Sequence, residues 1–182
     1  MPATVLILPG IYNAGPAHWQ TRWEQSDPAF QRVQQRDWNH PMCTEWVAAL
    51  DAAVERAGPT VTIVAHSLAC LVVAHWVAHS VATTPRPVRG ALLVAVPDSA
   101  GPNFPRDALG FEDTPAVRFP FPSTVVVSSD DPYGRADLSA RLAAAWGSQL
   151  VPIGACGHIN ADSGLGDWPA GRDLLRQLMG SR

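Results

Sequence analysis

The run Val61-Thr62-Ile63-Val64-Ala65, followed by His66-Ser67 and then by Leu68-Ala69-Cys70-Leu71-Val72-Val73-Ala74, constrains the fold more than any other stretch of the chain. A strand dominated by β-branched residues offers no polar face to water, so it belongs inside a parallel sheet covered on both sides. The apolar residues from Leu68 to Val81 read as the helix packed behind that strand. A sharp turn from buried strand to buried helix forces Ser67 into a strained backbone conformation. The strain lifts its hydroxyl clear of the sheet and aims the Leu68 amide at the same point, which is the geometry of a nucleophile elbow.

The local pattern is Ala65-x-Ser67-x-Ala69, with alanines where the fuller G-x-S-x-G motif has glycines. Small residues are needed because strand and helix approach closely, and alanine is the next smallest choice. Taken alone, the motif is a poor signal, and Ser67 reads more readily as an N-cap of the apolar helix. Its partners decide. Ser123–Ser129 reads as another inner strand that runs into Asp130-Asp131-Pro132-Tyr133. Val151-Pro152-Ile153 reads as a short strand followed by Gly154-Ala155-Cys156-Gly157-His158-Ile159-Asn160. Serine, acid and histidine thus follow in that order, each just past the C-terminal end of a strand, where reactive groups of open parallel sheets collect. A serine hydroxyl is a weak nucleophile near neutral pH. His158 is expected to take its proton, and a carboxylate to hold the imidazole in the right tautomer. Asp131 is favoured for that role because it directly precedes Pro132, whose fixed φ turns the chain back over the sheet edge. Asp130 is the adjacent alternative, and Asp-Asp-Pro can also be no more than a solvated turn.

The first strand, residues 3–8, ends in Pro9-Gly10-Ile11-Tyr12-Asn13-Ala14-Gly15. Such a loop can turn a backbone amide inward, so the N–H groups of Ile11 and Leu68 form the expected oxyanion-hole pair. The plain alternative is a βα turn made by Gly10 and Gly15.

Together these residues resemble the YdeN-like group of small α/β-hydrolases, related to the retinoblastoma-binding serine hydrolase. The resemblance is carried by Pro9-Gly10 with His18-Trp19-Gln20 and Trp23; by Gln35-Arg36-Asp37-Trp38 with Pro41 and Trp46; and by His66-Ser67-Leu68 with Trp76. It continues through Ser129-Asp130-Asp131-Pro132-Tyr133, Cys156-Gly157-His158-Ile159-Asn160 and Ser163-Gly164-Leu165-Gly166 with Trp168. Ala69 stands where the family usually has glycine. The resemblance implies a Ser67, Asp131, His158 triad and a hydrolase with poorly defined substrates.

Strands and helices alternate: strand 3–8, helix 16–25, strand 31–36, helix 43–57, strand 60–65, helix 68–82, strands 89–96 and 123–129, helix 134–147, strand 149–153 and helix 168–179. This predicts a three-layer α/β-hydrolase fold, with a mainly parallel sheet of about six strands and no full cap domain. Residues 1–182 read as one domain. Thr83–Pro87 reads as a short surface loop. Residues 98–122 form a long connection with five prolines, a length that in a compact domain is usually functional. Its Phe104, Phe111, Phe119 and Phe121 read equally as a partial lid or as plugs of the core. Tyr12, His18, Phe104 and Phe119 are the substrate-binding candidates.

Composition narrows the function classes. With 47% hydrophobic and 16% charged residues in 182, the chain suits a compact core, and a formal charge of -3 without a basic run argues against nucleic-acid binding. Met1-Pro2 leads directly into the first strand and no apolar run is long enough to span a bilayer, so a cytoplasmic protein is expected, without membrane association. Cys43, Cys70 and Cys156 are widely spaced and read as reduced thiols. Six histidines form no metal-binding spacing, and neither a metal nor another cofactor is expected. The expected function is a carboxylesterase-like serine hydrolase that cleaves small acyl esters or related carbonyl compounds through an acyl-enzyme. The alternative is a protein-binding module that keeps the fold with weak or vestigial activity.

Overall fold

A computed structural model describes residues 4–58, 60–81 and 88–180. Along the chain run β1 (Thr4–Leu8), α1 (Trp19–Ser26), β2 (Phe30–Arg32), α2 (Cys43–Ala57), β3 (Val61–His66) and α3 (Leu68–Trp76). They are followed by β4 (Val88–Val94), β5 (Ser123–Val127), α4 (Ala136–Trp146), β6 (Gln149–Pro152) and α5 (Pro169–Gly180). The strands form one parallel sheet in the order β2-β1-β3-β4-β5-β6. Side chains alternate across a strand, so Leu6 and Leu8 enter the core shared with α2, α3 and α4, whereas Val5 and Ile7 enter the core shared with α1 and α5. Two apolar layers around one sheet make the three-layer α/β architecture.

The strand order reverses direction between β1 and β3. Both strands therefore open, at their carboxyl ends, onto the crevice where open α/β sheets bind ligands. The loop after β1 carries Gly10, and β3 runs directly into Ser67.

Most boundaries shift by a residue or two from the sequence reading, and four of the differences have a local physical reason or bear on the site. The predicted strand 31–36 is shorter and begins earlier, at Phe30. The Val33 amide still donates to the Ile7 carbonyl at 2.9 Å, but Asp37 then captures the Asn39 and His40 amides at 2.8 and 3.1 Å and turns the chain away from the edge. Helix α1 starts at Trp19 rather than residue 16, because His18 is extended (φ -74°, ψ 138°) and caps the helix with its ring. The predicted helix 68–82 passes into a π-helical turn over Val77–Val81. Its last residue and the predicted surface loop 83–87 lie outside the described residues. Helix α4 stops at Trp146, where Gly147 takes a left-handed φ of 72° that suits a helix C-terminus.

No helix among the described residues is long and apolar enough to cross a membrane.

Candidate active site

Ser67 has φ 56° and ψ -127°, a conformation that L-residues rarely adopt, and its amide donates to the Val94 carbonyl at 2.9 Å. The elbow is thus formed with alanines on either side, and Ala69 is buried in the core beneath it. The N-cap alternative does not hold, because the Ser67 side chain makes no capping bond to α3. Its Oγ lies 2.8 Å from His158 Nε2 instead. The first loop closes over the same point. A Cβ on Gly10 would stand 2.9 Å from Ser67 Cβ, 3.1 Å from the His66 carbonyl oxygen and 3.4 Å from the Leu68 amide nitrogen, so only glycine fits. Ile11 and Leu68 both border the resulting cleft.

Beyond the ends of β5 and β6, Asp131 and His158 meet. His158 Nδ1 lies 2.8 and 3.0 Å from the two oxygens of Asp131, and their side chains are 10% and 2% exposed, respectively. The carboxylate only accepts, so Nδ1 carries the proton and Nε2 is left to accept from Ser67. Asp130 does different work. Its Oδ1 accepts from Ser128 Oγ at 2.7 Å and from the Gly157 amide at 2.8 Å, and Ser128 Oγ in turn accepts from the Cys156 amide at 2.9 Å. These bonds tie the acid loop to the histidine loop and hold the Asp130 carboxyl below the usual aspartate range.

Other groups that secure the histidine loop are less apparent from sequence. Trp19 Nε1 donates to the Ile159 carbonyl at 2.8 Å, and Trp19 itself packs on Trp23 and Trp168. His66 Nε2 donates to the His158 carbonyl at 2.9 Å. Burial is the main cause that pushes His66 well below the ordinary imidazole pKa, and the His158 carbonyl, which only accepts, places a proton on Nε2. Asn160 and Ser163 close the loop through a capping box. Cys156 only supports it, with its Sγ facing the Ile153 carbonyl at 3.5 Å.

The cleft beside Ser67 has a volume of about 290 Å³. Of the substrate-binding candidates, Tyr12, His18 and Phe104 border it. Phe119 does not. It is buried in the core, stacked on Trp146 at 5.2 Å, because its amide is fixed to the Trp146 carbonyl at 2.9 Å. Phe111 and Phe121 are core residues too, so only the Phe104 end of the 98–122 segment reaches the cleft. Tyr133, which the sequence reading did not single out as a binding residue, packs its ring 4.6 Å from that of His158 and forms another wall. Its place after Asp131-Pro132 was the available signal.

A family model described as serine hydrolase matches residues 5–177. A protein described as a YdeN-like hydrolase from Pectobacterium atrosepticum SCRI1043 superposes with a TM-score of 0.85 at 29% identity, over 97% of this chain and 90% of that one. The ydeN gene product of B. subtilis gives 0.73 at 19% identity, over 99% and 100%. A thermophilic esterase from Thermogutta terrifontis gives 0.67 at 15% identity, over 98% and 91%. No curated protein matches the sequence significantly. The sheet and its helices are those of an α/β-hydrolase.

Proposed function

Because the chain belongs to the serine hydrolase family, we propose that it cleaves small carboxylic esters through an acyl-enzyme formed on Ser67. Ser67 Oγ attacks the carbonyl carbon while its proton passes to His158 Nε2, and Asp131 stabilises the imidazolium that forms. The amides of Ile11 and Leu68 receive the oxyanion. Collapse of the tetrahedral intermediate expels the alcohol, which takes the proton from His158. Water then attacks the acyl-enzyme with the same histidine as base, and the acid is released. The observation that carries this assignment is the continuous contact from Ser67 Oγ to His158 Nε2 at 2.8 Å and from His158 Nδ1 to Asp131 at 2.8 Å, at the carboxyl edge of the sheet.

A cleft of about 290 Å³ lies at the small end of ligand pockets, which favours short acyl groups. The mechanism calls on no metal or other cofactor. A cytoplasmic location belongs to the same proposal, supported by three cysteines that are all free thiols. The test is hydrolysis of p-nitrophenyl acetate: wild-type protein turns it over and Ser67→Ala does not. Equal rates for the two proteins would overturn the assignment and leave the protein-binding module as the working account.

A further inference from the structure

His18 lies at the cleft wall between α1 and the elbow. It is 5% exposed, and its ring sits edge-on to His66 at 4.8 Å and 5.3 Å from that of Trp19. The Gln20 amide donates to His18 Nδ1 at 3.2 Å, and a ring nitrogen that accepts carries no proton. Burial first, with the Arg32 guanidinium and His158 next, pushes the His18 pKa down to about 4. The ring is therefore neutral near pH 7, and its single proton resides on Nε2. Among the described residues Nε2 has no hydrogen-bond partner, and it is not one of the fully buried unpartnered atoms. Its N–H is thus reached from the cleft.

We propose that His18 is a specificity-determining residue, whose Nε2–H selects esters carrying a second, uncharged oxygen acceptor close to the scissile group over hydrocarbon esters of equal size. The inference rests on the esterase assignment above. The polar groups assigned to the reacting atoms are committed: the amides of Ile11 and Leu68 to the oxyanion, and His158 to Ser67 and Asp131. A hydrocarbon substrate would strip water from the His18 N–H and return nothing, which leaves a buried donor unpaired. An ether, hydroxyl or keto oxygen in reach replaces that water. A carboxylate does not suit the place, because the donor is neutral and the Asp131 carboxylate stands close by on His158.

The test uses isosteric pairs that exchange one CH2 for oxygen: p-nitrophenyl methoxyacetate against p-nitrophenyl butanoate on the acyl side, and 2-methoxyethyl acetate against butyl acetate on the alcohol side. Comparing each ratio of kcat/KM between wild type and variant removes the intrinsic reactivity of the esters. His18→Asn places Oδ1 where Nδ1 accepts from Gln20 and deletes the distal N–H. His18→Gln keeps an N–H at the distal position and loses the cap. The oxygen-to-carbon ratio should fall roughly ten- to a hundredfold in His18→Asn for at least one pair, and stay within about threefold of wild type in His18→Gln. Thermal stability should show the opposite ranking, with His18→Gln melting lower. Unchanged ratios in both variants, or an equal fall in both, would overturn the inference. If Ser67 is still labelled by a fluorophosphonate, that failure concerns His18 alone; if wild type neither hydrolyses these esters nor takes the label, the esterase assignment fails and the inference with it.

Discussion

At the residue scale, two adjacent aspartates have separate duties. Both Asp131 oxygens face His158 Nδ1, whereas exposed Asp130 braces Ser128 and Gly157. Asp131→Asn should therefore lower kcat by roughly 10³- to 10⁴-fold, because the imidazole loses its correct tautomer. Asp130→Asn weakens a brace and should cost about tenfold or less; steady-state kinetics on the two variants checks the ranking. His18 carries a stability prediction. Its folded pKa of about 4 lies below the ordinary value of 6.5, so between these values the unfolded chain binds more protons than the folded one. The His18 contribution is then fully present above about pH 6.5 and is lost as pH falls toward 4, by roughly 3 kcal/mol at most. Denaturant unfolding at pH 7 and pH 4.5 should show wild type losing more stability than His18→Asn. Pro132 was the sequence signal for preferring Asp131, and in the bend that follows, the Tyr133 amide donates to Asp131 Oδ1 at 2.9 Å. The role of His66 was not, because it arises from a contact 92 residues away that no local pattern encodes.

At the scale of elements, the elbow works only if the loop after β1 comes close enough to bring a second amide beside Leu68. Gly10→Ala puts a methyl 2.9 Å from Ser67 Cβ and 3.1 Å from the His66 carbonyl. The loop must then move away, and kcat/KM should fall by about 10²- to 10³-fold, the scale of a lost oxyanion donor, while circular dichroism stays that of wild type. Unchanged catalysis would remove this loop from the oxyanion hole. The buried strands and α2 were readable because unbroken apolar runs and a 3.6-residue period have few other solutions, and α2 spans the expected 43–57. The start of α1 was not readable, since a histidine cap depends on its ring turning back to the Gln20 amide, and histidine is not a preferred capping residue. The early end of β2 was not readable, because Asp37 diverts the chain through side-chain bonds that compete with the sheet.

At the scale of the whole molecule, the site is a small cleft on a three-layer sheet, with Phe111, Phe119 and Phe121 of the 98–122 segment folded into the core rather than over the opening. The aromatic content of that segment was visible in the sequence, but which ring plugs the core depends on where α3 and α4 lie. Phe104→Ala should relax the preference for short p-nitrophenyl esters over long ones without much loss of stability. Phe119→Ala should cost about 3–5 kcal/mol and leave chain-length preference intact. The reverse pattern would make Phe119, not Phe104, the wall of the acyl site. All of this depends on Ser67 being an activated nucleophile held by His158 and Asp131. The most direct measurement is reaction of the folded protein with a fluorophosphonate, followed by peptide mass spectrometry: the adduct should map to Ser67, be absent in Ser67→Ala and form far more slowly in Asp131→Asn. An adduct on another residue, or labelling of Ser67→Ala equal to wild type, would contradict the account.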